Sequence, residues 1–140
     1  MAYVDTSALV PCYCPEALSA TAEREVRRSG PPTISPLIEV EFCSALARKT
    51  RIGEMTGEEA RRILSLFRMH CAEGAYRIVP IEARAYAVAG GWLGAFSTPL
   101  RTLDALHLAA AYANGLTLVT ADRNLAHSAA HFAVQCRFIG

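Results

Sequence analysis

Length, composition and charge already exclude several classes of protein. The chain has 140 residues, the size of one domain, and no apolar run approaches the roughly 20 residues that a membrane span requires. The net charge is only +1, so any attraction to nucleic acid must come from local basic clusters. We therefore expect one domain over residues 1–140, with no membrane segment.

The N-terminal half predicts two strands and four helices. In chain order these are a strand over 2–5, a helix opened by Thr6 and Ser7 and shortened or kinked by Pro11, a helix over 15–28, a strand over 33–35, a helix over 36–51 and a helix over 56–73. Thr56 and Glu59 form a capping box at the start of the last helix. The carboxylate of Asp5 thus ends the first strand.

The C-terminal half continues the alternation of strands and helices. It predicts a strand over 76–80, an alanine-rich helical stretch interrupted by Gly90, Gly91 and Gly94, a helix over 102–114, a strand over 116–120, a helix after Asp122 and a strand over 132–139. Such alternation predicts an α/β fold with a short central parallel sheet flanked by helices. Ligands of such sheets bind outside the carboxyl ends of the strands, where Asp5 and Asp122 fall.

Four carboxylates stand out because each lies at the end of a strand or on a helix. Taken singly, Asp5 and Asp122 can cap helices, and Asp104 can occupy a first turn that favours anions. Glu41 lies among small and apolar neighbours, although periodicity alone does not choose between Glu41 and Glu39. Two like charges about 4 Å apart repel by roughly 4 kcal/mol at an effective dielectric near 20, a penalty that a divalent cation removes. Convergence of the four would therefore indicate a metal site.

Motifs surround all four acids. They are Tyr3-Val4-Asp5-Thr6-Ser7-Ala8-Leu9, then Glu41 before Ser44-Ala45-Leu46-Ala47-Arg48, then Leu103-Asp104-Ala105-Leu106-His107-Leu108-Ala109, and finally Val119-Thr120-Ala121-Asp122. In order and spacing, this set resembles the PIN-domain ribonucleases, in particular the VapC toxins of bacterial toxin–antitoxin pairs. The resemblance extends over the full length of the chain.

The resemblance implies a three-layer PIN-like fold and a cytoplasmic endoribonuclease that depends on Mg²⁺ or Mn²⁺. It also implies a homodimer and a small antitoxin protein that often pushes a basic side chain into the acidic pocket. The family pattern selects Glu41 over Glu39. The matching positions are the metal-site and catalytic carboxylates Asp5, Glu41, Asp104 and Asp122, and the supporting hydroxyls Thr6, Ser7 and Thr120.

Oxygen ligands suit Mg²⁺ or Mn²⁺ better than zinc, and such ions can activate water for in-line attack on a phosphodiester. We expect products with 5′-phosphate and 3′-hydroxyl ends. Arg48, Lys49 and Arg51 come about two turns after Glu41 on the same helix, so they are predicted contacts to RNA phosphates. The other arginine clusters alternate with glutamates, which is typical of solvated helix faces.

Two other functions stay open at this point. A magnesium-dependent phosphatase with Asp5 as nucleophile is one, although the second aspartate two residues on that such enzymes use is missing. A binding module in which the acids only cap helices is the other. His107 either orients a ligand or is structural, whereas His127 and His131 have zinc-ligand spacing without a third ligand and are interpreted as surface residues.

The N-terminus, the hydropathy and the cysteines bear on the cellular compartment and on packing. Met1 is followed at once by strand-like residues, so no cleavable leader is expected and the protein is predicted to be cytoplasmic. A mean hydropathy of +0.21 indicates surplus apolar surface that an interface would cover. Five cysteines without a C-x-x-C pair are interpreted as reduced, packed thiols: Cys12, Cys14, Cys43, Cys71 and Cys136.

Overall fold

The sheet consists of five short strands. A computed structural model describes residues 1–140 and places the strands at β1 (Ala2–Val4), β2 (Thr33–Ile34), β3 (Arg77–Ile78), β4 (Thr117–Thr120) and β5 (Cys136–Phe138). All pairs are parallel, in the order β3-β2-β1-β4-β5. The first strand is therefore central, with Tyr3 paired to Thr33 of β2 on one side and to Leu118 of β4 on the other.

Seven helices cover the sheet. They are α1 (Thr6–Leu9), α2 (Ser19–Arg27), α3 (Pro36–Arg51), α4 (Gly57–Ala72), α5 (Ala83–Gly94), α6 (Thr102–Ala113) and α7 (Arg123–His131), and a 3-10 turn at Val10–Cys12 follows α1. Pro11 lies in that turn, which agrees with the predicted shortening of the first helix. Thr56 accepts a hydrogen bond from the backbone N–H of Glu59 at 3.2 Å, so the predicted cap of α4 is present. No helix has both the length and the apolar character needed to cross a membrane.

Neighbouring residues of β1 face opposite layers of the core, as the two-residue period of a strand requires. Val4 packs with Phe42 and Phe67 in the layer that α1 to α4 form on one face. Tyr3 packs with Leu108 and Leu125 in the layer of α6 and α7. The α/β fold with a central parallel sheet between two helical layers is thereby confirmed.

Several predicted bounds were wrong in detail. The helix expected over 15–28 begins only at Ser19, and the strands expected over 76–80 and 132–139 shrink to Arg77–Ile78 and Cys136–Phe138. The last strand is short because α7 continues to His131 and Ala133 then adopts a positive φ of 56°.

The predicted interruption of the alanine-rich helix was also wrong. Helix α5 runs through Gly90 and Gly91 to Gly94 without a break. Its Ala85 and Ala89 pack against Ala105 and Ala109 of α6, so burial of a small-residue face outweighs the low helix propensity of glycine.

The fold brings two strand ends together. The backbone N–H of Asp5 donates to the carbonyl of Val119 at 3.2 Å, so the residue after β1 lies beside the last residues of β4. Helices α1 and α7 both begin at this edge, where they follow Asp5 and Asp122. All five cysteines are free; Cys14 is buried and the others are partly buried.

Candidate active site

Asp5 is the most deeply buried of the four acids, with 3% of its surface exposed. Its Oδ1 accepts hydrogen bonds from Ser7 Oγ at 2.8 Å and from the backbone N–H of Ala8 at 3.1 Å. Its Oδ2 accepts from Thr120 Oγ1 at 2.8 Å. Burial raises the pKa of Asp5 to about 6, although the hydrogen bonds from Thr120 and Ser7 oppose that rise. The carboxylate is thus fixed in place at a cost in desolvation.

The two hydroxyls beside Asp5 also bind the loop after β4. Ser7 Oγ accepts from the backbone N–H of Ala121 at 2.9 Å, and Thr120 Oγ1 accepts from the backbone N–H of Asp122 at 3.0 Å. Ser7 and Thr120 are themselves 3.2 Å apart. They join the ends of β1 and β4 into one rigid wall of the site.

Glu41 projects from α3 and is partly buried. Its Oε1 accepts hydrogen bonds from Thr6 Oγ1 at 2.9 Å and from Nε2 of His107. Burial alone would raise the pKa of Glu41, but the hydrogen bond and charge of His107, together with the Thr6 hydroxyl, hold it below its ordinary value. Glu41 is therefore ionised at neutral pH.

His107 is buried and belongs to a hydrogen-bonded chain that begins in the sheet. Its Nδ1 lies 2.8 Å from the hydroxyl of Tyr3, which lies 2.7 Å from Ser35 Oγ. From the sequence alone the role of His107 stays open, and neither Tyr3 nor Ser35 is predicted to belong to the site. The available signal was weak: a tyrosine two residues before Asp5 on the central strand.

Asp104 and Asp122 form the other side of the site. Asp104 lies in the first turn of α6 and is half-buried; burial raises its pKa first, and the negative charges of Asp122 and Glu41 raise it further. Asp122 caps α7 by accepting from the backbone N–H of Leu125 at 3.0 Å. Asp5 likewise caps α1 through Ala8. The capping roles are real, but they do not account for the mutual repulsion of the acids.

The donor set fits a magnesium-like cation. The side chains offer carboxylate and hydroxyl oxygens; the pKa of Asp104 is raised first by burial and then by the nearby negative charges of Asp122 and Glu41, which a cation would offset. No three of the His, Cys, Asp and Glu side chains stand where they would jointly hold one ion. The expected convergence of all four acids on one ion is therefore not seen; Mg²⁺, which usually keeps several waters, needs only one or two carboxylates.

Arg48 lies beside Glu41 on the surface of the site. It lines a cavity of about 390 Å³ together with Thr6 and Glu41, and a neighbouring groove of about 260 Å³ together with Ser7 and Lys49. Lys49 is already paired with Glu54, at 3.1 Å. Arg51, also predicted to contact phosphate, is exposed at the end of α3.

A larger cavity of about 490 Å³ contains none of the four acids. Tyr13, Tyr76 and His70 line it, and the Tyr13 hydroxyl lies 2.6 Å from both of the others. We place the site at the carboxylates because their chemistry, rather than cavity size, distinguishes them. His127 and His131 are exposed, and His131 contacts Ser97 at 3.1 Å.

Comparison with known proteins identifies the family. The family model described as PIN domain matches residues 2–130. The chain belongs to the PIN domain family. The resemblance noted from the four motifs is thereby confirmed.

Similar proteins include several toxins. Ribonuclease VapC46 of Mycobacterium tuberculosis is 33% identical over 116 residues, covering 83% of this chain and 78% of that protein. The solved structure of VapC20 of Mycobacterium tuberculosis, a toxin that cleaves the sarcin-ricin loop, has a TM-score of 0.69 at 21% identity and covers 91% of this chain and 95% of its own.

A toxin-antitoxin complex from Klebsiella pneumoniae has the same fold. Its TM-score is 0.63 at 18% identity, with 90% of this chain and 91% of the other covered. At these identities, the solved structures support the PIN domain fold of this chain rather than a particular activity.

Proposed function

We propose that this PIN domain is a metal-dependent endoribonuclease that acts in the cytoplasm as the toxin of a type II toxin–antitoxin pair. The observation that carries the proposal is the proximity of the motif acids: Asp5 is buried at the end of the central strand, and Asp104, whose pKa is raised first by burial, is also under the negative charges of Asp122 and Glu41. Such repulsion is costly unless a cation is bound.

The proposed roles follow from the contacts of each acid. Asp104 and Asp5 would hold Mg²⁺ or Mn²⁺, with Asp122 and Glu41 completing the negative field around it. When bound, the cation polarises the phosphodiester and makes water more acidic. Ser7 and Thr120 hold the Asp5 oxygens, and Thr6 holds Glu41.

The chain's own groups also direct the substrate. Glu41, whose carboxylate is ionised, can accept a proton from an attacking water. Arg48, which lines the cavity beside Glu41, would bind a flanking phosphate, and Arg51 and Lys49 would extend that contact along α3. Hydrolysis would leave 5′-phosphate and 3′-hydroxyl ends.

The proposed partners are RNA, a small antitoxin and a second copy of the chain. VapC46 is named a ribonuclease and the Klebsiella pneumoniae structure is a toxin-antitoxin complex, which supports the first two. An acidic pocket open to solvent would accept a basic antitoxin side chain. Exposed apolar side chains such as Tyr86 and Phe96, which are 56% and 92% exposed, supply surface for a homodimer.

The phosphatase alternative is disfavoured by the surroundings of Asp5. The aspartate two residues on that such enzymes use as acid and base is missing, since Ser7 occupies that position and donates a hydrogen bond to Asp5. The binding-module alternative treats the acids as residues that only stabilise helix starts, which leaves Glu41, in the middle of α3, without a role.

The test is RNA cleavage by the purified chain in Mg²⁺, compared with Asp5→Asn and Asp104→Asn. We expect the native chain to cleave and both variants to lose at least about 100-fold in rate, since each removes a ligand charge from the site. Glu23→Gln, an exposed acid on α2, is the matched control and should cleave normally. Unchanged cleavage in both site variants would reject the proposal.

A further inference from the structure

A continuous hydrogen-bonded chain of side chains leads from the core to the active site. Ser35 Oγ, Tyr3 OH and His107 Nδ1 are separated by 2.7 and 2.8 Å, and His107 Nε2 contacts Glu41 Oε1. Ser35, Tyr3 and His107 are each no more than 1% exposed. These hydrogen bonds connect three elements, β1, α6 and α3, and the N-cap residue of α3.

The donor in the hydrogen bond between His107 and Glu41 can be assigned from the chemistry of the two groups. Ionised Glu41 is an acceptor only, so Nε2 of His107 must carry the proton that lies between them, whether the ring is neutral or charged. Tyr3 then fixes the ring through Nδ1.

The two oxygens of Glu41 are consequently unequal. Oε1 accepts from both Thr6 Oγ1 and His107 Nε2, whereas neither donor is bound to Oε2. The two lone pairs of Oε1 are both engaged by these donors, whereas those of Oε2 are open to a cation or a water. Glu41 thus presents a single oxygen to the site.

We propose that Tyr3 and His107 are positioning residues that lock Glu41 so that only its Oε2 serves the metal site or the attacking water. This inference rests on the proposed function. It assigns to a buried tyrosine and histidine a role in metal affinity and rate, in addition to their packing, because partners behind a ligand commonly set its orientation.

The protein contains a matched control for the Tyr3–His107 pair. Tyr13 and His70 form a second tyrosine–histidine pair, 2.6 Å apart, that contacts Tyr76 rather than any of the four acids. Loss of the Tyr13 hydroxyl removes the same type of hydrogen bond at a distance from the metal site. A purely structural role would therefore make Tyr3→Phe and Tyr13→Phe alike in their effects on the site.

The first experiment is titration of the metal-free chain with Mn²⁺, followed by electron paramagnetic resonance. We expect Tyr3→Phe to weaken Mn²⁺ binding by about 10-fold, the lower end of the effect of such supporting partners, and Tyr13→Phe to leave it within twofold. At saturating Mn²⁺, Tyr3→Phe should lower kcat for RNA cleavage while KM changes little. Thermal unfolding of both variants reports on structure separately.

The second experiment varies His107 itself. Glutamine can place an N–H donor near the position of ring Nε2, whereas asparagine is too short to reach Glu41. We expect His107→Asn to weaken Mn²⁺ binding by about 10- to 100-fold and His107→Gln to retain more of the affinity. This comparison decides the matter if Tyr3→Phe does not fold.

Two results would separate the hypotheses. If the native chain binds Mn²⁺ and cleaves RNA, but Tyr3→Phe matches Tyr13→Phe and His107→Asn binds as well as His107→Gln, the positioning role is rejected and the nuclease stands. If the native chain neither binds Mn²⁺ nor cleaves RNA, the proposed function itself fails.

Discussion

At the scale of single residues, the site sets acids of similar chemistry in different surroundings. Asp5 is enclosed by hydroxyls and a backbone N–H, Glu41 has a histidine and a threonine as donors, and Asp104 is half-buried among charges of both signs. The pKa of Glu41 is lowered while those of Asp5 and Asp104 are raised. Such divergence between neighbouring acids is typical of a site with divided roles.

The raised pKa of Asp5 predicts a pH dependence of stability. The folded-state pKa of about 6 exceeds the ordinary 3.8, so this group's contribution to stability is fully present below pH 3.8 and is lost as the pH rises through 6. The loss is on the order of 3 kcal/mol. Urea unfolding in EDTA from pH 4 to 7.5 should show this decline, and it should be absent from Asp5→Asn. Equal slopes for the two proteins would contradict it.

A second prediction at this scale concerns the contributions of Arg48 and Lys49 to RNA binding. Arg48 lines the cavity beside Glu41, whereas Lys49 is paired with Glu54. We expect Arg48→Ala to raise KM for RNA several-fold and to reduce the slope of log affinity against log salt by about 0.7 to 1, as loss of one phosphate contact should. Lys49→Ala should change both less. The measurement is RNA binding across a series of salt concentrations, and equal effects of the two variants would contradict the assignment.

At the scale of elements, helix starts place the acids. Asp5 and Asp122 are N-caps of α1 and α7, which follow the neighbouring strands β1 and β4. One residue can therefore end a strand, begin a helix and face the ligand-binding edge of the sheet. The same geometry explains why a capping interpretation and a catalytic interpretation of these residues do not conflict.

Asp122 allows the two roles to be separated. The Asp122 Oδ1 accepts from Leu125 N–H at 3.0 Å, a contact that an asparagine oxygen can reproduce. We expect Asp122→Ala to lower the free energy of unfolding by about 1 kcal/mol and Asp122→Asn by less, since asparagine also caps helices. Both should slow RNA cleavage because both remove the charge. Full activity in Asp122→Asn would make Asp122 a cap alone.

At this scale the sequence predicts some features of the structure and not others. The alternation of strands and helices and the positions of Asp5 and Asp122 at strand ends follow from local patterns, and the structure agrees. The continuity of α5 through Gly90 depends on packing against α6, which no local pattern contains. The contacts of His107 with Tyr3 and Glu41 join residues 104 and 66 positions apart, so periodicity gave no signal for them.

At the scale of the whole molecule, the site concentrates negative charge in a chain whose net charge is only +1. Neutralisation of that charge should therefore stabilise the entire fold, because the cation would bind the folded state and not the dispersed acids of the unfolded chain. The apolar core on both faces of the sheet holds the acids together in the absence of the ion.

This linkage gives the last prediction. Mg²⁺ or Mn²⁺ at 10 times its Kd should raise the free energy of unfolding by about 1.4 kcal/mol, which corresponds to a shift in Tm of a few degrees for a domain of this size. In Asp104→Asn the shift should vanish, while the metal-free variant should melt above the native chain because a repulsive charge is gone. Differential scanning calorimetry with and without EDTA measures both effects. A native chain whose Tm does not respond to either ion would show that the acids do not bind it.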